Sequence, residues 1–466
     1  MMQSVMPLIL LPIAAAIITF LVRKSSTLAA LIAAGVPAIL AIYALLNNLG
    51  SPFVLLGRVM ILTTGDRLAI VFIFLSASAT FLGIWRTSPR WTYYPVALVA
   101  LSAVAAALGA RQINATGIGG RPFDAFQYSA LFMTIAVALT IFPLQGGRPG
   151  VAGGTLRYMT LTVLALPAFL AAAWTLDLYS QSPDATSLAQ ASIALLLLGS
   201  VLLLGGVPFH SWLSAISSES PPLSSAFVLG IINVAAWFLL LDFAHEIKVF
   251  GTDPLTFTAL RVVGITTAVV GGLLALAQSD FGRLMGYAVL ADIGVALTVF
   301  SIHTDAGLTA GLIVVIVRTF GLGLMSMGLA LARQKYADDK FDTLTGLAWR
   351  MPWAAVALIV GGFSLAGIPP LAGFAGRWAA LQQVAYTDLG TALALLLSTI
   401  GVAIGTLRGL QSILKPIASD DRQPFRTPRL TILLLCGALA LGVIVGLFPD
   451  LISPALRQMV TAYLGQ

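Results

Sequence analysis

Six ionisable side chains lie inside or beside long apolar runs: His210, Glu219, Asp292, Arg318, Arg377 and Arg408. Charge in such places is costly and marks an ion or proton path by default. The chemistry these residue types suggest is proton transfer. Histidine titrates near neutrality, and a carboxylate withdrawn from water keeps its proton to higher pH. Arginine stays charged and serves only as a fixed cation. Each residue also has a structural reading. Glu219 is either an ion-admitting group near the cytoplasmic edge or a cap or salt bridge in a loop. His210 either shuttles protons or hydrogen-bonds across a helix break. Asp292 is either a proton carrier or the ion-pair partner of Arg318 or Arg283. Arg318 and Arg408 anchor helix contacts or line a water-filled cavity. Asp242, His245, Glu246 and Lys248 read as an exposed face at the outer end of a span.

Two stretches must position these groups. In LLGGVPFHSWLSAISSESPPLSSA, residues 203–226, an apolar helix is interrupted at Gly205, Gly206 and Pro208. In FSLAGIPPLAGFAGRW, residues 363–378, the interruption falls at Gly367, Pro369 and Pro370, and Arg377 follows. Gly206-Val207-Pro208 is echoed by Gly367-Ile368-Pro369, which pairs Pro208 with Pro369. Proline lacks a backbone donor and clashes with the preceding turn, so both stretches predict broken helices. Two broken membrane helices in corresponding places predict an internally repeated transporter with its polar centre at the breaks.

Composition fixes the setting. Of 466 residues, 59% are hydrophobic and 9% charged, against about 25% charged in soluble domains; mean hydropathy is +0.97. The chain is an all-α polytopic membrane protein, with fourteen spans expected near 3–22, 27–48, 66–86, 91–110, 125–145, 154–176, 189–214, 222–247, 257–277, 283–302, 305–333, 353–380, 388–413 and 428–448. The tail, 451–466, is expected at the interface. Sorting Lys and Arg by loop parity puts fifteen on one side and seven on the other, with Arg318, Arg377 and Arg408 inside spans. The richer side is read as cytoplasmic, which places both termini outside. The first apolar run is followed by Arg23 and Lys24 rather than preceded by a basic region, so it reads as a membrane helix and not as a leader.

The excess of +7 is scattered among short loops and reads as topogenic charge, not as a nucleic-acid surface. One cysteine, Cys436, provides neither a cluster nor a disulfide framework. The three histidines are far apart, and no nucleotide-binding motif is present. Polar inserts at 333–350 and 414–430 read as connectors, and Gly119-Gly120 and Gly146–Gly150 as turns.

Three blocks carry a family resemblance. PFHSWL…ESPPLSSA, residues 208–226, resembles the P-x-H-x-W-L-P-D-A-x-x-E-A-P-x-x-x-S-A signature of complex I antiporter-like subunits and Mrp-type cation/proton antiporters. Pro208, His210, Trp212, Leu213, Glu219, Pro221, Ser225 and Ala226 match it. AQSDFGRLMGYAVLADIG, residues 277–294, and the stretch 363–378 resemble two further blocks of that family. The span count resembles subunit N most. The resemblance implies two inverted five-helix repeats, one broken helix in each, and a proton path of buried ionisable groups and water.

Measured against that pattern, the conducting positions are depleted. The lysine expected before the first break is Leu203, and that of the next helix aligns with Asn233. The run LFMTIAVALTIFPL, residues 131–144, holds no acid. The lysine of the second block is Gly282, its histidine is Asp292, and the terminal lysine or glutamate is Arg377. The resemblance therefore implies a membrane-arm subunit of a complex I-like NADH:quinone oxidoreductase, with rewired or impaired conduction. NADH, FMN, iron–sulfur clusters and quinone would belong to partner subunits, and no cofactor to this chain. The alternatives are a subunit of an Mrp-type antiporter or membrane-bound hydrogenase, or a non-conducting scaffold. Expected partners are other membrane subunits and the bilayer of an inner or plasma membrane. Expected units are 1–110, 111–250 and 251–415 (N-terminal helices and two repeats), then 416–466.

Overall fold

The computed structural model describes residues 5–47, 49–51, 53–55, 58–85, 92–110, 124–145, 152–336, 338–417 and 427–464. Helices dominate because the apolar runs leave no polar partner for an open backbone. In chain order they are α1 (Met6–Leu21), α2 (Ser26–Leu46), α3 (Thr64–Trp85), α4 (Tyr93–Gly109), α5 (Asp124–Leu144), α6 (Ala152–Val163), α7 (Ala165–Gln181), α8 (Thr186–Leu204), α9 (Ser211–Glu219) and α10 (Pro222–Phe227). There follow a π-turn (Val228–Ile232), α11 (Asn233–Glu246), α12 (Lys248–Thr252), α13 (Pro254–Ala277), α14 (Phe281–Phe300), α15 (Asp305–Ala332), α16 (Leu347–Arg350), α17 (Pro352–Leu365), α18 (Ala372–Thr387), α19 (Leu389–Leu414), α20 (Arg429–Leu447) and α21 (Ser453–Leu464).

Eleven helical stretches among the described residues are long and apolar enough to cross a membrane, and three more apolar helices are shorter. One feature departs from an all-helical reading. Between α2 and α3, β1 (Phe53–Leu55) and β2 (Arg58–Met60) pair antiparallel, with Val54 opposite Val59. Strands of three residues are too short to leave a periodic signal. The expected turns at 119–120 and 146–150, and most of the insert 414–430, lie outside the described residues.

Three stretches are enclosed by the others: α10–α11, α14 and α15. Small residues bring their neighbours close. A Cβ on Gly271 of α13 would sit 2.5 Å from the backbone nitrogen of Ala291 on α14, which fixes the turn carrying Asp292. Close backbone approach through small residues is the usual way membrane helices associate, since lipid gives no hydrophobic drive between them. Gly282 and Gly286 of α14 do the same against α9, where a Cβ on Gly282 would meet the Ser217 carbonyl at 2.8 Å. A lysine does not fit there without moving α9, which explains that departure from the family pattern.

The insert 333–350 folds back under α9. Arg333 pairs with the buried Asp339 and donates to the carbonyls of Ser218 and Ser220, capping the C-terminus of α9. Basic side chains are favourable at that end of a helix. Nearby Asp280 caps α14 through the Arg283 N–H, and burial pushes its carboxyl above the ordinary range.

Of the expected exposed face at 242–248, Lys248 is exposed, the Glu246 side chain lies outside the described residues, and Asp242 and His245 need correction. Asp242 is buried, and His245 is half-buried with Nδ1 2.7 Å from the Tyr463 carbonyl oxygen. The cause is the tail. α21 turns Leu456, Met459, Val460 and Tyr463 inward against α3, α11 and α15. The Tyr463 hydroxyl then donates to the buried Asp66 carboxylate at 3.0 Å.

Candidate functional site

Both helices break where the sequence predicts, but the register between the breaks differs from the letter match. α8 ends at Gly205 (φ +80°) and α17 just before Gly367 (φ +70°), both left-handed positions that favour glycine. The next N–H reaches back five residues in each case, Gly206 to Val201 and Ile368 to Phe363, both 3.0 Å. The Phe209 and Leu371 N–H groups then bond to Gly206 and Ile368. The cis peptides precede Pro208 and Pro370. Pro208 therefore corresponds to Pro370, not to Pro369. Geometry aligns the left-handed glycines, whereas the letters align the wrong member of each pair.

Each break frees carbonyl groups at the C-terminal end of its first half, where a helix carries about half a negative charge. A guanidinium serves each, the second directly and the first through an asparagine. Arg377, on α18, donates to the Leu365 carbonyl at 3.2 Å, to the Thr399 hydroxyl of α19 at 3.0 Å and to Asp292 of α14 at 2.7 Å. Arg318, on α15, donates to the Asn233 side-chain oxygen at 2.9 Å. The Asn233 amide nitrogen in turn donates to the Leu204 carbonyl at 3.0 Å. Arg318 also interacts electrostatically with Asp292.

A polar axis results, hydrogen-bonded from the first break through Asn233 to Arg318 and from Asp292 through Arg377 to the second, its two segments linked by the electrostatic interaction of Arg318 with Asp292. Asn233, Asp292, Arg318 and Arg377 are all at most 4% exposed. Two arginines and one carboxylate leave one positive charge in excess. The freed carbonyls at the two C-terminal helix ends offset part of it. The axis thus explains why arginine is tolerated in so buried a place.

Asn233 had counted only as a missing lysine. Its position just after the π-turn at Val228–Ile232 swings its side chain between α8 and α15. π-turns recur at functional positions, and this one re-aims the residue the axis needs.

The remaining predicted residues lie elsewhere. Glu219, half-buried at the end of α9, accepts from the Gly154 N–H at 2.7 Å and so stabilises the N-terminal turn of α6. His210 lies at the start of α9, half-buried, and its Nδ1 makes no hydrogen bond. Arg408 does not join the axis. It is exposed on α19 and donates to the Leu276 carbonyl in the last turn of α13. Asp292 pairs with Arg377 and interacts with Arg318, and Arg283 is not among the charges acting on it.

Gly367 supports the axis directly. A Cβ there would lie 2.6 Å from Arg377 Cγ, in a left-handed conformation that costs an L-residue about 1–2 kcal/mol. Gly367→Ala should therefore lower thermal stability by at least that amount. It should also displace Arg377, whereas Gly437→Ala, inside α20 with open space around it, should leave the unfolding midpoint unchanged or slightly raised.

A profile described as "NADH:quinone oxidoreductase/Mrp antiporter, TM" matches residues 169–405, just over half of the chain, including both breaks and the whole axis. The chain belongs to this family. Among curated members, subunit N of NADH-quinone oxidoreductase from Deinococcus radiodurans is 28% identical over 307 residues, covering 62% of this chain and 61% of that one. Subunit N 2 from Acidobacterium capsulatum is 29% identical over 294 residues, covering 60% and 59%. The matches thus span about three-fifths of these relatives' length. Among solved structures, the fold is similar to a chain of the archaeal membrane-bound sulfane sulfur reductase (TM-score 0.85, 16% identity, 99% of this chain and 98% of that). It is also similar to a chain of Thermus thermophilus respiratory complex I (0.81, 20% identity, 99% of each) and one of the Mrp complex from Dietzia sp. DQ12-45-1b (0.83, 17% identity, 99% of each). Family membership places the chain among multi-pass membrane proteins.

Proposed function

We propose that this chain is a membrane-arm subunit of a complex I-like NADH:quinone oxidoreductase, in which proton movement is confined to the second half and centred on Asp292. We read fourteen spans: the eleven long apolar stretches that support the reading, the shorter α1 and α4, and the α17–α18 broken helix. The local match between the breaks suits two inverted five-helix repeats, within 111–250 and 251–415. Both termini are placed outside on the basic-residue count. NADH, FMN, iron–sulfur clusters and quinone are assigned to partner subunits.

The observation that carries the mechanism is the axis itself. Asp292 is the one group in it that titrates, because Arg318 and Arg377 hold their charge and Asn233 has none to lose. Proton uptake at Asp292 cancels the negative charge between the two guanidiniums. Their mutual repulsion then strains the break-to-break connection, and proton release restores it. Arg377 acts as a fixed cation that sets the proton affinity of Asp292 without carrying the proton.

Purification of the tagged full chain from its native membrane tests the assembly. Co-purifying flavin and iron–sulfur absorbance is expected. Several small hydrophobic partners without redox centres would instead place the chain in an Mrp-type antiporter.

The first half is read as closed. Leu203 is buried in the last turn of α8, where the family pattern has lysine. Leu203→Lys should admit water and raise proton permeability of reconstituted vesicles, and unchanged permeability would reject a hydrophobic seal there.

A further inference from the structure

The geometry points to a binding site for a small monovalent anion of the halide class at Arg318 and Arg377, filled when Asp292 carries a proton. The inference rests on Asp292 being the proton carrier proposed above. Three N–H groups on the two guanidiniums have no hydrogen-bond partner: Arg318 Nε and Nη1, and Arg377 Nε. Both side chains are at most 3% exposed. An unpartnered buried donor is rare and costly, and three on two cations that both act on Asp292 call for an acceptor.

The groups around the cations leave few sources for one. α11 contributes the neutral Asn233, α17 the Leu365 carbonyl, α19 the Thr399 hydroxyl and α14 Asp292. Among the described residues, Asp292 is the only acid acting on Arg318. With Asp292 ionised, the carboxylate neutralises one of the two cations, and freed carbonyls at the breaks offset part of the other. A proton on Asp292 adds a positive charge that arginine cannot shed. A dianion would overshoot that charge and a cation would be repelled, so one small monovalent anion restores the balance. It accepts from the unpartnered N–H groups of Arg318 and Arg377, and the protonated carboxyl donates to it. The site then gains a proton and an anion together, with its net charge unchanged.

The test adds chloride, or gluconate as a bulky control, to the purified full chain in weakly buffered nanodiscs containing a pH indicator. Chloride should draw up to one proton per chain from solution, with a gain in the infrared band of a protonated carboxyl; gluconate should draw none. By reciprocity, apparent chloride affinity should tighten about tenfold per pH unit lowered, where Asp292 titrates. Asp292→Asn should hold bromide, located by anomalous scattering, at every pH and without proton uptake. Arg318→Gln, checked for folding by size exclusion and circular dichroism, should lose the chloride response. Equal proton uptake with chloride and gluconate in the unaltered chain would overturn the site, as would a full chloride response in folded Arg318→Gln. Bromide bound to Asp292→Asn alongside unchanged proton pumping would instead reject the proton-carrier role and leave the anion site standing.

Discussion

Asp292→Leu should destabilise the protein by about 3–5 kcal/mol, the usual cost of stripping a buried charge of its partner. The substitution leaves Arg377 and Arg318 facing each other with only helix ends and neutral dipoles for compensation. The companion substitution is the informative control. Arg377→Met added to Asp292→Leu removes one cation with the anion, leaving Arg318 held through Asn233 to the Leu204 carbonyl. The double variant should lose much less than the sum of the single losses, and urea- or heat-induced unfolding of the four combinations measures the difference. Additive losses would mean that the 2.7 Å contact between Arg377 and Asp292 contributes nothing specific.

Arg377→Lys should raise proton transfer through the second half by at least about tenfold. Lysine retains a cation beside Asp292 but can surrender its proton when buried, which arginine cannot do. The exchange gives the axis a second titratable group next to the first, as in the family pattern. Some stability should be lost, because one ammonium cannot reproduce a planar fork reaching Asp292, Thr399 and Leu365 on three different helices. Proton flux in vesicles and the unfolding midpoint separate the two effects. A fall in both would show that Arg377 is needed for its shape and that its fixed charge does not limit conduction.

The charged members of the axis were legible in the sequence because charge inside apolar runs stands out against its surroundings. Their pairing was not. Asp292 and Arg377 lie on helices separated by three others in the chain, and only the packing of α14 against α18 brings them together. Asn233 reads as a loss when compared with lysine, whereas its amide joins the Arg318 guanidinium to the Leu204 carbonyl, and a lysine there would repel the guanidinium. The Leu204 and Leu365 carbonyls leave no signal in the sequence, since every residue has one and only a helix break frees it. Arg408 shows the reverse failure. It lies within an apolar span but near the end of α19, where a long side chain extends along the helix to reach the end of α13. The breaks were placed correctly from glycine and proline. Their one-residue offset appears only in the hydrogen bonds, because left-handed glycines mark structural equivalence better than a shared tripeptide.

Protons moved per electron pair by the reconstituted assembly, compared between the unaltered chain and Asp292→Asn, test most directly whether Asp292 is the titrating group between the two breaks. Asparagine keeps the shape of aspartate and cannot accept the proton. The account predicts fewer protons per electron pair with the assembly intact; an unchanged ratio would contradict it.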